Sequence, residues 1–373
     1  MTALLLIPLL AWQQPKQPPV SPSARLEKIK KEAAAARDAN KSADAIRLYR
    51  EGVKLKPDWL EGWWSLGTLY YDDDQYPEGR DALRRFTHLE PKVGAAWGLL
   101  GLCEYQTRDY ERSLVDLKKA DETGLPSEGR LAEVSRYHLA ILLTRFEQYE
   151  EAMSILMRFA QEGKEDPLKI EAAGLAALRK PLLPIEMPPQ DRQLVVDAGH
   201  AAFDAGARHA TKAEQEMRDL AAHYPSTPNV HYIYGSYLLL GDPDAAIKEF
   251  DRELELNPFH VPTLVSVALE YLKRGQANKG VTYAKRAAEA QPDSFAVHTT
   301  YGRLLVDCGK LDDGIKELET ARKQAPGSPQ TRIALATAYA KAGRKEDAAR
   351  ERQEFLKLKE QSKSSDLPQA GVP

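Results

Sequence analysis

Cysteine is nearly missing from this chain: only Cys103 and Cys308 occur in 373 residues, too few for a disulfide framework, so cysteine usage does not set a redox compartment. No excess charge of either sign exists. Lys plus Arg number 52 against 55 for Asp plus Glu, a formal net charge of −3, which leaves no field to draw nucleic acid. Apolar runs are short, and the longest, near the N-terminus, cannot cross a bilayer as a helix, so no transmembrane span is expected. No Gly-Lys-Ser/Thr phrase is present to cradle phosphate, and the eight histidines show no metal-ligand spacing. Asp72-Asp73-Asp74 lacks the downstream Gly and Glu of a calcium loop. No catalytic residue, cofactor or metal is therefore expected.

What the chain does have is a period. Pro258, Pro292 and Pro326 fall 34 residues apart, and Pro225 precedes them by 33. A fixed interval of this length signals stacked repeats. Between the prolines a small residue recurs early, at Gly235, Ala268, Gly302 and Ala336, and another about twelve positions later, at Ala246, Gly280, Gly314 and Ala348. The same two slots extend upstream through Ala33, Gly67, Gly101, Ala140 and Ala201, and through Ala45, Gly79, Ser113, Ala152 and Ala213. Two antiparallel helices close to a short distance only where neither presents a bulky side chain. Each unit is thus expected to be a helical hairpin.

The wording of the units resembles the tetratricopeptide repeat. Trp63-x-x-Leu66-Gly67-x-x-Tyr70 and Trp97-x-x-Leu100-Gly101 carry its opening phrase, and Pro57 and Pro91 again lie 34 apart. Val230-x-x-x-Tyr234-Gly235-x-x-Leu238, then Ala246-x-x-x-Phe250, then Pro258 repeat it downstream. The resemblance implies an all-α, right-handed α-solenoid of about nine helix-turn-helix repeats, with second-helix core positions at Tyr49, Leu83, Leu117, Leu156, Met217, Phe250 and Leu318. In such an array Cys103 and Cys308 would lie about six repeats apart, too far to bridge.

Domain boundaries follow from composition. Residues 1–14 contain Ala3-Leu-Leu-Leu-Ile-Pro-Leu-Leu-Ala-Trp12, which reads as a secretory signal core, although no basic residue precedes it. Residues 15–24 read as a Pro-rich tether, 25–166 as units 1–4, 192–362 as units 5–9, and 363–373 as a disordered tail. Between the two sets of units, 167–191 reads as one unpaired Ala-rich helix followed by a spacer containing Pro181, Pro184, Pro188 and Pro189. Within it Leu182 to Met187 either belongs to a rigid spacer or forms an exposed apolar loop. The last helix has Arg352 where its predecessors carry a bulky apolar residue, as a terminal cap facing water requires.

Members of this family bind partners in a concave groove lined by the first helices. The resemblance places Trp64, Tyr71, Tyr105, Tyr137, Tyr232, Leu239, Val265, Leu269 and Leu272 there, an apolar and aromatic series suited to a peptide with bulky side chains. The family's carboxylate clamp is not expected, because only four Asn occur and none of Asn40, Asn229, Asn257 and Asn278 stands at a clamp position. The leading reading is a non-enzymatic scaffold for a protein or peptide ligand in the bacterial cell envelope. A cytoplasmic interaction module and an accessory subunit of an enzyme complex stay open beside it, and oligomeric state is not legible.

Overall fold

The computed structural model describes residues 21–125 and 129–365, so the signal-like segment, most of the tether, residues 126–128 and residues 366–373 lie outside the described residues. The chain divides into two compact units, 1–142 and 143–373. Unit 1 holds the hairpins α1 (Pro22–Asp38) with α2 (Ser42–Leu55), α3 (Leu60–Asp72) with α4 (Tyr76–Leu89), and α5 (Gly94–Gln106) with α6 (Tyr110–Thr123). Helix α7 (Arg130–Arg145) runs across the division. Unit 2 holds α8 (Tyr149–Gln161), α9 (Pro167–Ala177) and the hairpins α10 (Arg192–Gly206) with α11 (Ala210–His223), α12 (Val230–Leu238) with α13 (Pro243–Leu256), α14 (Val261–Lys273) with α15 (Ala277–Ala290), α16 (Phe295–Asp307) with α17 (Leu311–Gln324), and α18 (Pro329–Lys341) with α19 (Lys345–Ser365). Within each unit the hairpins stack side by side as an all-α solenoid.

The small residues work as expected: all eighteen are buried. At the α16–α17 crossing a Cβ on Gly302 would stand 2.8 Å from the Gly314 carbonyl oxygen, and one on Gly314 would stand 2.9 Å from that of Gly302. At α5–α6 the Ser113 hydroxyl uses the same closeness to donate to the Gly101 carbonyl at 2.7 Å. The second-helix stripe is the core, with Tyr49, Leu83, Leu156, Phe250 and Leu318 fully enclosed. Between the two helices of eight hairpin-length pairs the chain turns through a left-handed residue two places beyond the first helix. It is Gly275, Gly309 and Gly343 in the last three, but Asn40, Asp74, Arg108, Glu147 and Arg208 earlier. The following amide then bonds back to the carbonyl five residues before it, as Gln75 does to Tyr70 at 2.8 Å, which closes the helix end.

A second bond recurs at the other end of the unit. The sixth residue after the unit's proline donates to that proline's carbonyl: Trp63 to Pro57 at 2.9 Å, Trp97 to Pro91 at 2.8 Å, His231 to Pro225 at 2.9 Å, His298 to Pro292 at 2.7 Å, and Arg332 Nη2 to Pro326 at 2.9 Å. Trp63 is therefore half-buried and tied to the turn. The enclosed tryptophan of that hairpin is Trp59, 5% exposed, with Gly52 and Gly62 making room for its ring.

Two boundaries move. Helix α1 begins inside the expected tether, since Pro22 sits in the first turn, where a missing N–H costs nothing, and Ser21 Oγ caps Ala24 N at 3.2 Å. Helix α19 takes in residues 363–365, which the composition had assigned to the tail. Helix α9 is extra in count but not isolated: Gly174 packs on the Val195 carbonyl of α10, and Gly199 packs reciprocally on the Ile170 carbonyl of α9. The Leu182–Met187 segment is mostly a plug rather than an exposed loop. Leu183 and Met187 are buried, and Ile185 alone of its large apolar side chains is open, at 88% exposed.

Candidate functional site

The α9 irregularity creates a concavity. Close approach of α9 and α10 puts a wall of Ala176, Ala177, Ala202 and Ala205 where other hairpins place large side chains, and the space left is an open groove of about 470 Å³ within unit 2. Tyr149, Met153 and Met157 recur every fourth residue and so present one face of α8 to it. Met217 of α11 and Tyr232, Ile233, Ser236 and Tyr237 of α12 complete the lining, with Leu240 at the mouth, 89% exposed. A Cβ on Gly206 would meet the Met157 sulfur at 2.5 Å, so a side chain there would displace the flexible end of Met157 from the groove.

Polar groups fix the frame rather than the floor. Glu253, fully buried on α13, accepts from Asn229 N at 2.8 Å and Tyr232 N at 3.2 Å, which caps α12 and sets the register of its groove face. Asn229 itself, in the left-handed region at φ 72°, donates from Nδ2 to the Leu178 carbonyl at 3.0 Å and so ties α12 to the end of α9. At the rim Arg179 lies over the Tyr149 ring at 4.5 Å and pairs with Glu150 at 2.7 Å. Burial raises the Glu150 carboxyl, but the Arg179 bond outweighs it, and the group is held below its ordinary range. Burial pushes the Tyr232 hydroxyl up. Every methionine among the described residues, Met153, Met157, Met187 and Met217, lies in this groove or in the apolar cluster beneath it.

Of the nine residues expected in a groove, only Tyr232 lines this one. Leu239 joins Tyr232 against Phe250 and Val267, while Val265 and Leu272 each pack on clusters further along unit 2. Leu269 is exposed. In unit 1, Trp64 packs against Phe86 with the rings tilted and 5.4 Å apart, and Tyr71 meets Tyr76 edge-on at 5.8 Å, both beside Leu83 and Cys103. Tyr105 and Tyr137 flank His138 at 4.5 and 5.4 Å. Eight of the nine are half-buried, so each pads a neighbour and still shows part of its surface. Among the described residues no three His, Cys, Asp or Glu side chains gather to hold a metal ion, and no helix is long and apolar enough to cross a membrane.

Sequence profiles of the tetratricopeptide repeat match residues 65–122, 196–261 and 271–330. The chain is a tetratricopeptide repeat protein. The matched stretches fall on hairpins with regular contact slots and leave out α9, whose pairing with α10 the repeat pattern does not encode. Among curated proteins, the heat-shock cognate co-chaperone sgt12 of Aspergillus fumigatus is 28% identical over 117 residues, 31% of this chain. The chain spans 33% of that protein's length. Among solved structures, MamA from Desulfovibrio magneticus RS-1 is 21% identical, with 47% of this chain and 98% of that one aligned at a TM-score of 0.41. A second MamA crystal structure is 15% identical, with 48% and 98% aligned at a TM-score of 0.42.

Proposed function

We propose that this protein–protein interaction scaffold captures, without catalysis, a segment of a partner protein bearing bulky apolar side chains, and does so in the methionine-lined groove of unit 2. The observation that carries the reading is the gathering of Met153, Met157 and Met217 beside Tyr149, Tyr232 and Tyr237 in one open concavity. Methionine is unbranched and polarizable and repacks around differing apolar shapes, while tyrosine offers contact area at low entropic cost. The half-buried aromatics of unit 1, Trp64, Tyr71, Tyr105 and Tyr137, form a second apolar face for the same class of ligand. The Ala3–Trp12 run supports a place for the protein in the bacterial cell envelope.

The test uses the full chain as bait beside a Met153→Glu/Met157→Glu variant, with melting temperature measured for both. Partners that the variant loses while its melting temperature stays near the parent's support the groove. Partners retained by a folded variant would remove the groove from the reading and leave the unit 1 aromatics to be tested by Trp64→Ala with Tyr71→Ala. N-terminal sequencing decides the location separately: residues 1–14 intact on protein from a cytosolic fraction rule out the envelope.

A further inference from the structure

Among the described residues, two enclosed carboxyl oxygens have no donor. In the α5–α6 hairpin Glu104 is fully buried; its Oε1 accepts from Arg84 at 2.7 Å, and its Oε2 meets no hydrogen-bond donor. The acidic group beside it is Asp116 of α6. In the α10–α11 hairpin Asp204, 5% exposed, accepts from His209 Nδ1 at 2.8 Å and Lys212 Nζ at 2.7 Å. Glu216 lies against it, and again Oε2 is enclosed with no donor. Two ionised carboxylates can only accept, so neither pair is satisfied as drawn with full charge.

The two pairs occupy the same repeat slots. Glu104 and Asp204 each stand three residues beyond the small contact residue of the first helix, Gly101 and Ala201, while Asp116 and Glu216 stand three beyond Ser113 and Ala213. In the other hairpins the first of these slots is apolar, as at Tyr70 and Tyr271, so even where the second is acidic, at Glu249, Glu317 and Glu351, no second carboxyl faces it. We propose that each acidic pair keeps one shared proton well above the pH at which ordinary carboxyls lose theirs, in an O–H···O bond between its two carboxyls, and thereby forms a latch between the helices of its hairpin that weakens as pH rises.

Charge balance supports the sharing. Arg84 from α4 is the cation bonded to the buried Glu104 and also acts on Asp116, with Arg112 of α6 and Asp109 just before that helix further out, so one carboxylate is matched and the second is best neutral. Against Asp204 and Glu216 stand His209 and Lys212, with Glu165 acting on Lys212, a more cationic setting in which the second carboxyl ionises more readily. Burial first, then the neighbouring carboxyl, push Glu104 up to about 8 and Glu216 to about 7. An ordinary glutamate in the unfolded chain loses its proton near 4.5. The folded protein therefore holds a proton that the unfolded chain does not, from about pH 4.5 up to about 8 in one hairpin and about 7 in the other. Stability from the latch is whole below that window and declines across it, and each shared proton makes the unfolding constant rise about tenfold per pH unit.

Carbon NMR of the full chain, labelled at the glutamate side-chain carboxyls, reads the latches directly. Two carboxyl resonances should titrate near pH 8 and pH 7, apart from the rest. If every glutamate carboxyl titrates below about pH 5.5, the range of ordinary carboxyls, the shared protons do not exist. Denaturation across the window gives an independent check with Glu104→Gln and Glu216→Gln, whose amides still donate to the partner carboxyl but do not titrate. Each should remove about a tenfold-per-pH-unit dependence from the unit that contains it. A folded variant with the parent's slope overturns its latch, and where a variant does not fold, the resonances of the parent decide.

Discussion

Gly302 offers the sharpest test of how the hairpins are built. Alanine at this helical position should gain about 1 kcal/mol from propensity alone. The structure opposes that gain, because the new Cβ would sit 2.7 Å from Leu318 Cγ, 2.8 Å from the Gly314 carbonyl oxygen and 3.1 Å from Leu318 N. Two of those atoms are backbone and the third is the stem of a fully buried side chain, so none can swing aside. Helices α16 and α17 must part, and because two of the atoms met are backbone the overpacking falls in the upper part of its usual range, about 2–3 kcal/mol. With propensity set against it, Gly302→Ala should lose about 1–2 kcal/mol, and Gly302→Leu about 3 kcal/mol or more. For a unit of this size each kcal/mol lowers the melting temperature by roughly 2–4 °C. Gly241→Ala is the control, since nothing lies within 4 Å of its Cβ. Thermal and denaturant unfolding of the three variants read the outcome, and a Gly302→Ala protein as stable as its parent would refute the close-contact account.

Other perturbations separate neighbours. Trp59→Ala should cost about 3–5 kcal/mol as an emptied core site, whereas Trp63→Phe should cost about 1 kcal/mol, the bond to the Pro57 carbonyl, by denaturant unfolding. Arg108 is held at φ 62°, so Arg108→Gly should raise stability by about 0.5–1 kcal/mol; a loss would mean that the turn is not strained. In the last hairpin Glu351, 1% exposed, bonds both Arg322 and Arg332. Glu351→Ala should destabilise by about 3 kcal/mol, toward the low end for buried pairs because both arginines reach solvent, and a melting temperature unchanged from the parent would remove the triad from the account of the cap.

What could be read in advance was whatever repeats. Gly302 and Gly314 announced their crossing because contact slots twelve residues apart recur in every hairpin, and Leu318 and Phe250 followed from the same register. The α9–α10 crossing uses equally small residues, Gly174 and Gly199, but a plug containing Leu183 and Met187 lies between them, so no spacing in the chain links them. The groove belongs to that unperiodic junction, which is why Tyr232 alone was placed in it by alignment while Met153, Met157 and Tyr237 were not. Two methionines four residues apart on α8 were the available signal, and it resembles ordinary core. Trp63 was legible as part of the opening phrase, but the phrase does not tell that its side chain is held for its N–H.

That N–H has a consequence for how such an array diverges. Tryptophan, histidine and arginine share neither bulk nor charge, yet at the sixth place after a proline Trp63, His298 and Arg332 hold the same carbonyl. A copied unit is thus bound to a reach and not to an alphabet. Along this one chain the position is filled by a tryptophan, a histidine and an arginine, so a hairpin can exchange the side chain that ties its turn without moving the turn itself.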